Sequence, residues 1–169
     1  MKKLLGLLVV VTISLNAFSQ NKKDVVDIAI GSADHTTLVA AVKAADLVTT
    51  LKGAGPFTVF APTNEAFNKL PAGTVEGLLK PESKAQLSKI LTYHVVSGNL
   101  DAAAVAAAIK SGNGKAVLTT VSGGKLTASM EKGKVKLTDE NGKSAFVTAA
   151  DLKGSNGVVH VIDGVVLPK

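Results

Sequence analysis

The 169-residue chain contains no cysteine, no tryptophan and no arginine, and its one tyrosine is Tyr93. Without cysteine there is no thiol catalysis, no disulfide, no Cys-ligated zinc and no iron–sulfur cluster. A lipid anchor on an N-terminal cysteine is excluded as well. All nineteen basic residues are lysine. Lysine lacks the planar fork that reads guanine and phosphate in two-point contacts. A nucleic-acid partner is therefore not expected, although the isoelectric point is near 9.5. The scarcity of large aromatics leaves few platforms for stacking sugars or bases.

The N-terminus has the three parts of an export leader. Met1-Lys2-Lys3 is positive, Leu4 to Leu15 is apolar apart from Gly6, Thr12 and Ser14, and Ala17-Phe18-Ser19 offers small residues at a cleavage site. The apolar run is shorter than the roughly 20 residues a bilayer-spanning helix needs. Residues 1–19 are thus read as a cleaved signal peptide and residues 20–169 as one domain, with no membrane span after cleavage. The product is expected to be secreted: extracellular, at the cell surface or periplasmic. A domain of this size buries roughly 70% of its unfolded surface and needs no disulfide staples.

Charge is unevenly placed. Residues 110–143 hold seven lysines, at 110, 115, 125, 132, 134, 136 and 143, against Glu131, Asp139 and Glu140. Two readings stand: a solvated hairpin whose lysines guard a strand edge, or a face for an acidic partner. Lys132, Lys134 and Lys136 are the candidate contacts. The alternation Lys134-Val135-Lys136-Leu137 sends the lysines to one side and the apolar pair to the other.

The front of the domain reads as helical and the back as strands. His35 to Leu51 has helical apolar spacing, with Asp34 as its N-cap. Phe57–Phe60 reads as a buried strand, and Thr63 as the cap of a short helix that follows it. Pro81 opens a helix with the stripe Leu87, Ile90 and Leu91. Asp101 caps an alanine-rich helix ending near Ile109. Strands are expected at 116–121, 126–130, 135–138, 145–149, 158–162 and 165–167. They are separated by Gly123-Gly124, Lys132-Gly133, Asn141-Gly142, Asn156-Gly157 and Asp163-Gly164.

Catalytic signatures are missing. There is no Gly-x-Ser-x-Gly elbow, and the glycine pairs match neither a phosphate-binding loop nor a dinucleotide fingerprint. Asp139-x-Asn141-Gly142 has its glycine too early for a calcium loop. His35 begins a helix, whereas His94 and His160 are read as strand residues. Their spacing gives no reason for them to share a metal, so hydrogen-bonded structural histidines are expected, with no cofactor.

Three segments carry a resemblance. Gly55-Pro56-Phe57-Thr58-Val59-Phe60-Ala61-Pro62-Thr63-Asn64-Glu65-Ala66-Phe67 resembles the first signature of the fasciclin-like domain. Asn156-Gly157-Val158-Val159-His160-Val161-Ile162-Asp163-Gly164-Val165-Val166-Leu167-Pro168 resembles the second. Tyr93-His94 matches the Tyr-His motif between them. The resemblance covers about residues 22–169. It implies an α+β fold, a β-sandwich or wedge with helices packed at one side, helix-rich in front and strand-rich behind.

It also implies a non-enzymatic, secreted binding or cell-adhesion module. The implied partner is a cell-surface or matrix protein, to which the lysine-rich hairpin adds an acidic polysaccharide or anionic surface lipid; weak association between copies would offset the missing multivalency of one domain. Alternatives are a carrier of a small apolar ligand (lipid or pigment) and a hydrolase. The family's adhesive surface implicates Tyr93 and His94, although apolar neighbours on both sides favour a core position. Thr63, Asn64, His160 and Asp163 belong to the signatures as structural residues. Asn64 stands where many relatives carry Asp. A polar contact between Asn64 and His94 is expected to join the two motifs.

Overall fold

A computed structural model describes residues 22–169; the segment read from sequence as an export leader, residues 1–19, lies outside them. Helices come first. α1 (Val25–Ile30) starts at a reciprocal capping box, in which Asp24 accepts from the N–H groups of Val26 and Asp27 while Asp27 accepts from Asp24 N–H. α2 (Thr36–Ala44) and α3 (Val48–Leu51) follow. The expected single helix from His35 to Leu51 is therefore two. Asp46 turns left-handed at φ 56°, and Leu47 N–H bonds to Val42 C=O while Asp46 N–H bonds to Lys43 C=O. That pairing is a Schellman stop, with aspartate where glycine is usual. Asp34 is not the α2 cap: it lies within a 3-10 turn, Ala33–His35, and His35 takes the cap position.

β1 (Phe57–Pro62) leads into α4 (Asn64–Asn68), capped by Thr63, whose hydroxyl accepts from Ala66 N–H at 3.2 Å. α5 (Thr74–Leu78) and a 3-10 turn at Pro81–Ser83 precede α6 (Lys84–Tyr93). β2 (Val95–Ser97) is short, and α7 (Ala102–Ser111) is capped by Asp101 as expected. Five strands complete the chain: β3 (Lys115–Thr119), β4 (Lys125–Glu131), β5 (Lys134–Thr138), β6 (Ser144–Gly154) and β7 (Gly157–Ile162). The expected strand at 165–167 does not form; those residues run as a tail held mainly by side chains.

The strands lie in the order β2-β1-β7-β6-β5-β4-β3, with β1 and β7 parallel and the other neighbours antiparallel. β6 bends through register shifts near Ala149, so its first half pairs with β5 and the rest with β7. The sheet rolls until its outer strands nearly meet. Val96 bridges Thr120, and Val121 N–H reaches Val95 C=O at 2.7 Å. The result is an α+β wedge with two apolar cores. One lies among α1, α2, α3, α6 and β1 and includes Val26, Leu38, Val42, Leu51, Leu91 and Val159. The other fills the rolled sheet beneath α7 and includes Phe60, Val105, Ile109, Leu126, Leu137, Ile162 and Val166.

Candidate functional site

The signature residues converge where helix, sheet and tail meet, and they are spent on internal bonds. Tyr93 is fully buried at the end of α6, and its hydroxyl donates to Lys125 C=O at 2.6 Å. Burial raises its pKa, and the Glu140 and Asp139 carboxylates add to the rise. The ring lies so close to Gly124 that a Cβ there would sit 2.6 Å from Tyr93 Cε2. The glycine of the β3–β4 turn is thus the space the tyrosine occupies.

His94 is not in a strand. It caps the C-terminus of α6 and is 2% exposed. Its Nδ1–H donates to Ile90 C=O at 2.8 Å, and its Nε2 accepts from Val166 N–H at 3.3 Å. The contact to Val166 requires an unprotonated Nε2 and so the neutral ring, and burial brings the pKa down to about 4. Asp139 continues the clasp: its carboxylate accepts from the N–H groups of Asn141, Lys143 and Leu167. The tail is therefore held by the end of one helix and the turn between β5 and β6.

Asn64 does not contact His94. Its Oδ1 accepts from the Thr36 hydroxyl and from Thr37 N–H, and its amide donates to Ala33 C=O. It caps the first turn of α2 from another part of the chain, a role that Asp34 and His35 leave empty. His160 does lie in a strand. Its Nε2–H donates to Leu100 C=O at 2.7 Å, its Nδ1 accepts from Asp151 N–H at 3.3 Å, and the ring stacks on Phe60 with centroids 5.6 Å apart. Asp163 binds Phe146 N–H through its carboxylate, joining the end of β7 to β6. Sequence reading missed Asn156, whose side chain accepts from Val25 N–H and donates to Leu51 and Gly53 C=O. It fastens α1 and α3 to the β6–β7 turn; its place in the second signature is the one local sign of it.

No chemistry-bearing cluster forms among the described residues. The three histidines have separate partners, and no group of three or more potential metal ligands occurs there. Ser32 Oγ lies 2.7 Å from His35 Nδ1, but His35 is buried and its Nε2 has no partner. Burial lowers its pKa, against the opposing influence of the Ala61 carbonyl and Asp34. A working serine–histidine pair needs an orienting group on the second nitrogen, and none is present here. An apolar crevice of about 40 Å³ lies between α1, α2 and β1, lined by Val26, Leu38, Val42, Leu51, Val59 and Leu91.

The lysine candidates sit on the β4–β5 hairpin. Lys132 and Gly133 form its two-residue turn with φ 51° and 76°. Lys132 and Lys134 are exposed, whereas Lys136 is paired with Glu131 at 2.8 Å. β4 has neighbours on both sides, and β5 is paired with β6 from Lys136 onward, which leaves Lys134 on the part of β5 without a β6 partner.

Comparisons with known proteins agree with this architecture. Residues 33–168 match the family model of the fasciclin domain. The chain is 51% identical over 152 residues to protein sll1483 of Synechocystis, covering 90% of this chain and 77% of that protein. It is 36% identical over 138 residues to immunogenic protein MPB70 of Mycobacterium bovis, covering 79% of this chain and 63% of that one. The FAS1 domain pair of the insect cell adhesion molecule fasciclin I matches in fold with a TM-score of 0.61 at 23% identity, over 77% of this chain and 43% of that chain. With the signatures in place, the sheet order established and the family match spanning nearly all the described residues, the chain belongs to the fasciclin domain family.

Proposed function

We propose that this protein is an exported, non-enzymatic binding module of adhesion type that contacts a component of a cell surface or extracellular matrix. The observation that carries this reading is the use of the signature side chains. Tyr93, His94, Asn64, His160 and Asp163 each satisfy backbone groups of other segments. A fold whose most distinctive polar residues serve as ties offers rigid surfaces to partners rather than a reactive centre. Family membership and the likeness to an insect adhesion molecule support the same reading. The leader pattern supports export, and no helix among the described residues is long and apolar enough to cross a membrane.

The carrier alternative draws little from the crevice of about 40 Å³. Pockets that enclose small molecules run from about 300 Å³ upward. Fluorescently labelled protein added to cell-envelope material from its own source tests the binding reading. Saturable retention, competed by unlabelled protein, is expected. Retention that never saturates or is not competed would overturn it.

A further inference from the structure

We propose that the outward face of β3, β4 and β5 is a binding surface for a linear anionic polysaccharide. The inference rests on the extracellular binding function proposed above and names the class of partner. Along these strands Ala116, Leu118, Leu126, Ala128 and Leu137 are buried in the core. Alternation then places Lys115, Val117 and Thr119 of β3, Lys125, Thr127, Ser129 and Glu131 of β4, and Lys134, Lys136 and Thr138 of β5 on the opposite face. Two cross-strand rows result: Lys115–Ser129–Lys136 and Val117–Thr127–Thr138. This set differs from the hairpin triad seen in sequence. It takes in Lys115 and Lys125 from distant turns and leaves Lys132 at the hairpin tip.

The carboxylates of this region are already engaged within the protein, Glu131 on the face itself. Glu131 pairs with Lys136. Asp139 is buried and accepts from three backbone N–H groups, and Glu140 accepts from Lys125 N–H and Lys169 N–H. Salt bridges among the described residues involve only Lys52, Lys84 and Lys136. Lys115, Lys125 and Lys134 therefore have no salt-bridge partner among them.

Geometry favours a chain-like polyanion. Lys115 and Lys134 stand two strands and two residues apart, roughly 12 Å. Threonine and serine hydroxyls between them offer the donors and acceptors that sugar hydroxyls and carboxylates require. A membrane surface would be expected to recruit aromatic or long apolar anchors. The exposed apolar side chain among the outward positions is Val117, which has little reach.

The test measures binding of the full protein to polygalacturonate, with neutral dextran and anionic phospholipid vesicles as parallel probes, at about 0.01 M and about 0.15 M salt. The variant K115Q/K125Q/K134Q is compared with a charge-matched control, K22Q/K80Q/K110Q. At low salt the face variant is expected to lose about tenfold in affinity, the sum of three modest contacts, and the control far less. The parent should weaken as salt rises, and dextran should not bind. Equal losses in both variants would reduce the effect to net charge and overturn the proposal. So would failure of the parent to bind polygalacturonate, or binding to vesicles alone. The single substitutions, each expected to give a fraction of the loss, keep the test open should the triple variant unfold. Retention on envelope material with no polygalacturonate binding would sink only this inference, whereas loss of envelope retention would remove the function on which it rests.

Discussion

His94 Nε2 accepts a hydrogen bond from the backbone N–H of Val166, 3.3 Å away and 72 residues later in the chain. The same ring donates to Ile90 within its own helix. One neutral imidazole thus joins the end of α6 to the C-terminal tail, in a place with no solvent to share the work.

That bond makes stability depend on pH. Burial holds the folded-state pKa of His94 at about 4, against 6.5 for the free side chain. The unfolded chain therefore takes up the proton first as pH falls. The contribution of His94 is complete above about pH 6.5 and is lost as pH drops through about 4. The size is roughly 3 kcal/mol. Glutamine can donate to Ile90 and accept from Val166 without titrating. Urea midpoints at about pH 7 and about pH 3.5 should show the parent losing roughly 3 kcal/mol more than H94Q. Parallel losses in the two proteins would contradict this account.

Thr63 and Asn64 are neighbours that cap different helices. Thr63→Ala removes the bond to Ala66 N–H and should cost about 1 kcal/mol. Asn64→Ala removes the cap of α2 and the donor to Ala33 C=O, with an expected cost of about 2 kcal/mol. Asn64→Asp keeps the acceptor at a helix N-terminus, which favours a negative charge, and loses only the donor. Denaturation midpoints should rank parent, N64D and N64A in descending order. An N64D protein less stable than N64A would show that repulsion between the carboxylate and the Ala33 carbonyl outweighs the cap.

Lys132 occupies a left-handed position in the tight β4–β5 turn. A β-carbon is disfavoured there, whereas asparagine before glycine is the preferred pair. Lys132→Asn should raise stability by roughly 0.5 kcal/mol. Thermal melting tests it, and an unchanged or lower midpoint would count against the turn assignment.

Much of the fold was legible because the signals are local. Val135 and Leu137 alternate with lysines, Lys132-Gly133 closes a hairpin, and Thr63 and Asp101 sit one residue before their helices. Each of these involves a few adjacent residues whose backbone preferences do not depend on distant partners. α1 escaped notice because six residues are too few for a periodic stripe; it is held by the burial of Val25 and Val26, the Asp24–Asp27 box and Asn156. The stop at Asp46 was hidden because aspartate, not glycine, takes the left-handed position.

The amino-acid sequence alone determined the family, the division into helical front and stranded back, the turns, and the side of β5 that faces the core. It also placed the excess of lysine in one segment. Tertiary structure decided which groups meet: Asn64 with α2 rather than His94, His94 with Val166, and Tyr93 with the Gly124 turn. It also decided that Lys136 is neutralised while Lys115 and Lys125 join Lys134 on one face. The physical reason is range. A turn or cap is fixed by neighbouring dihedral angles, whereas a contact across tens of residues exists only once both cores have packed and nearly all buried polar groups have found partners.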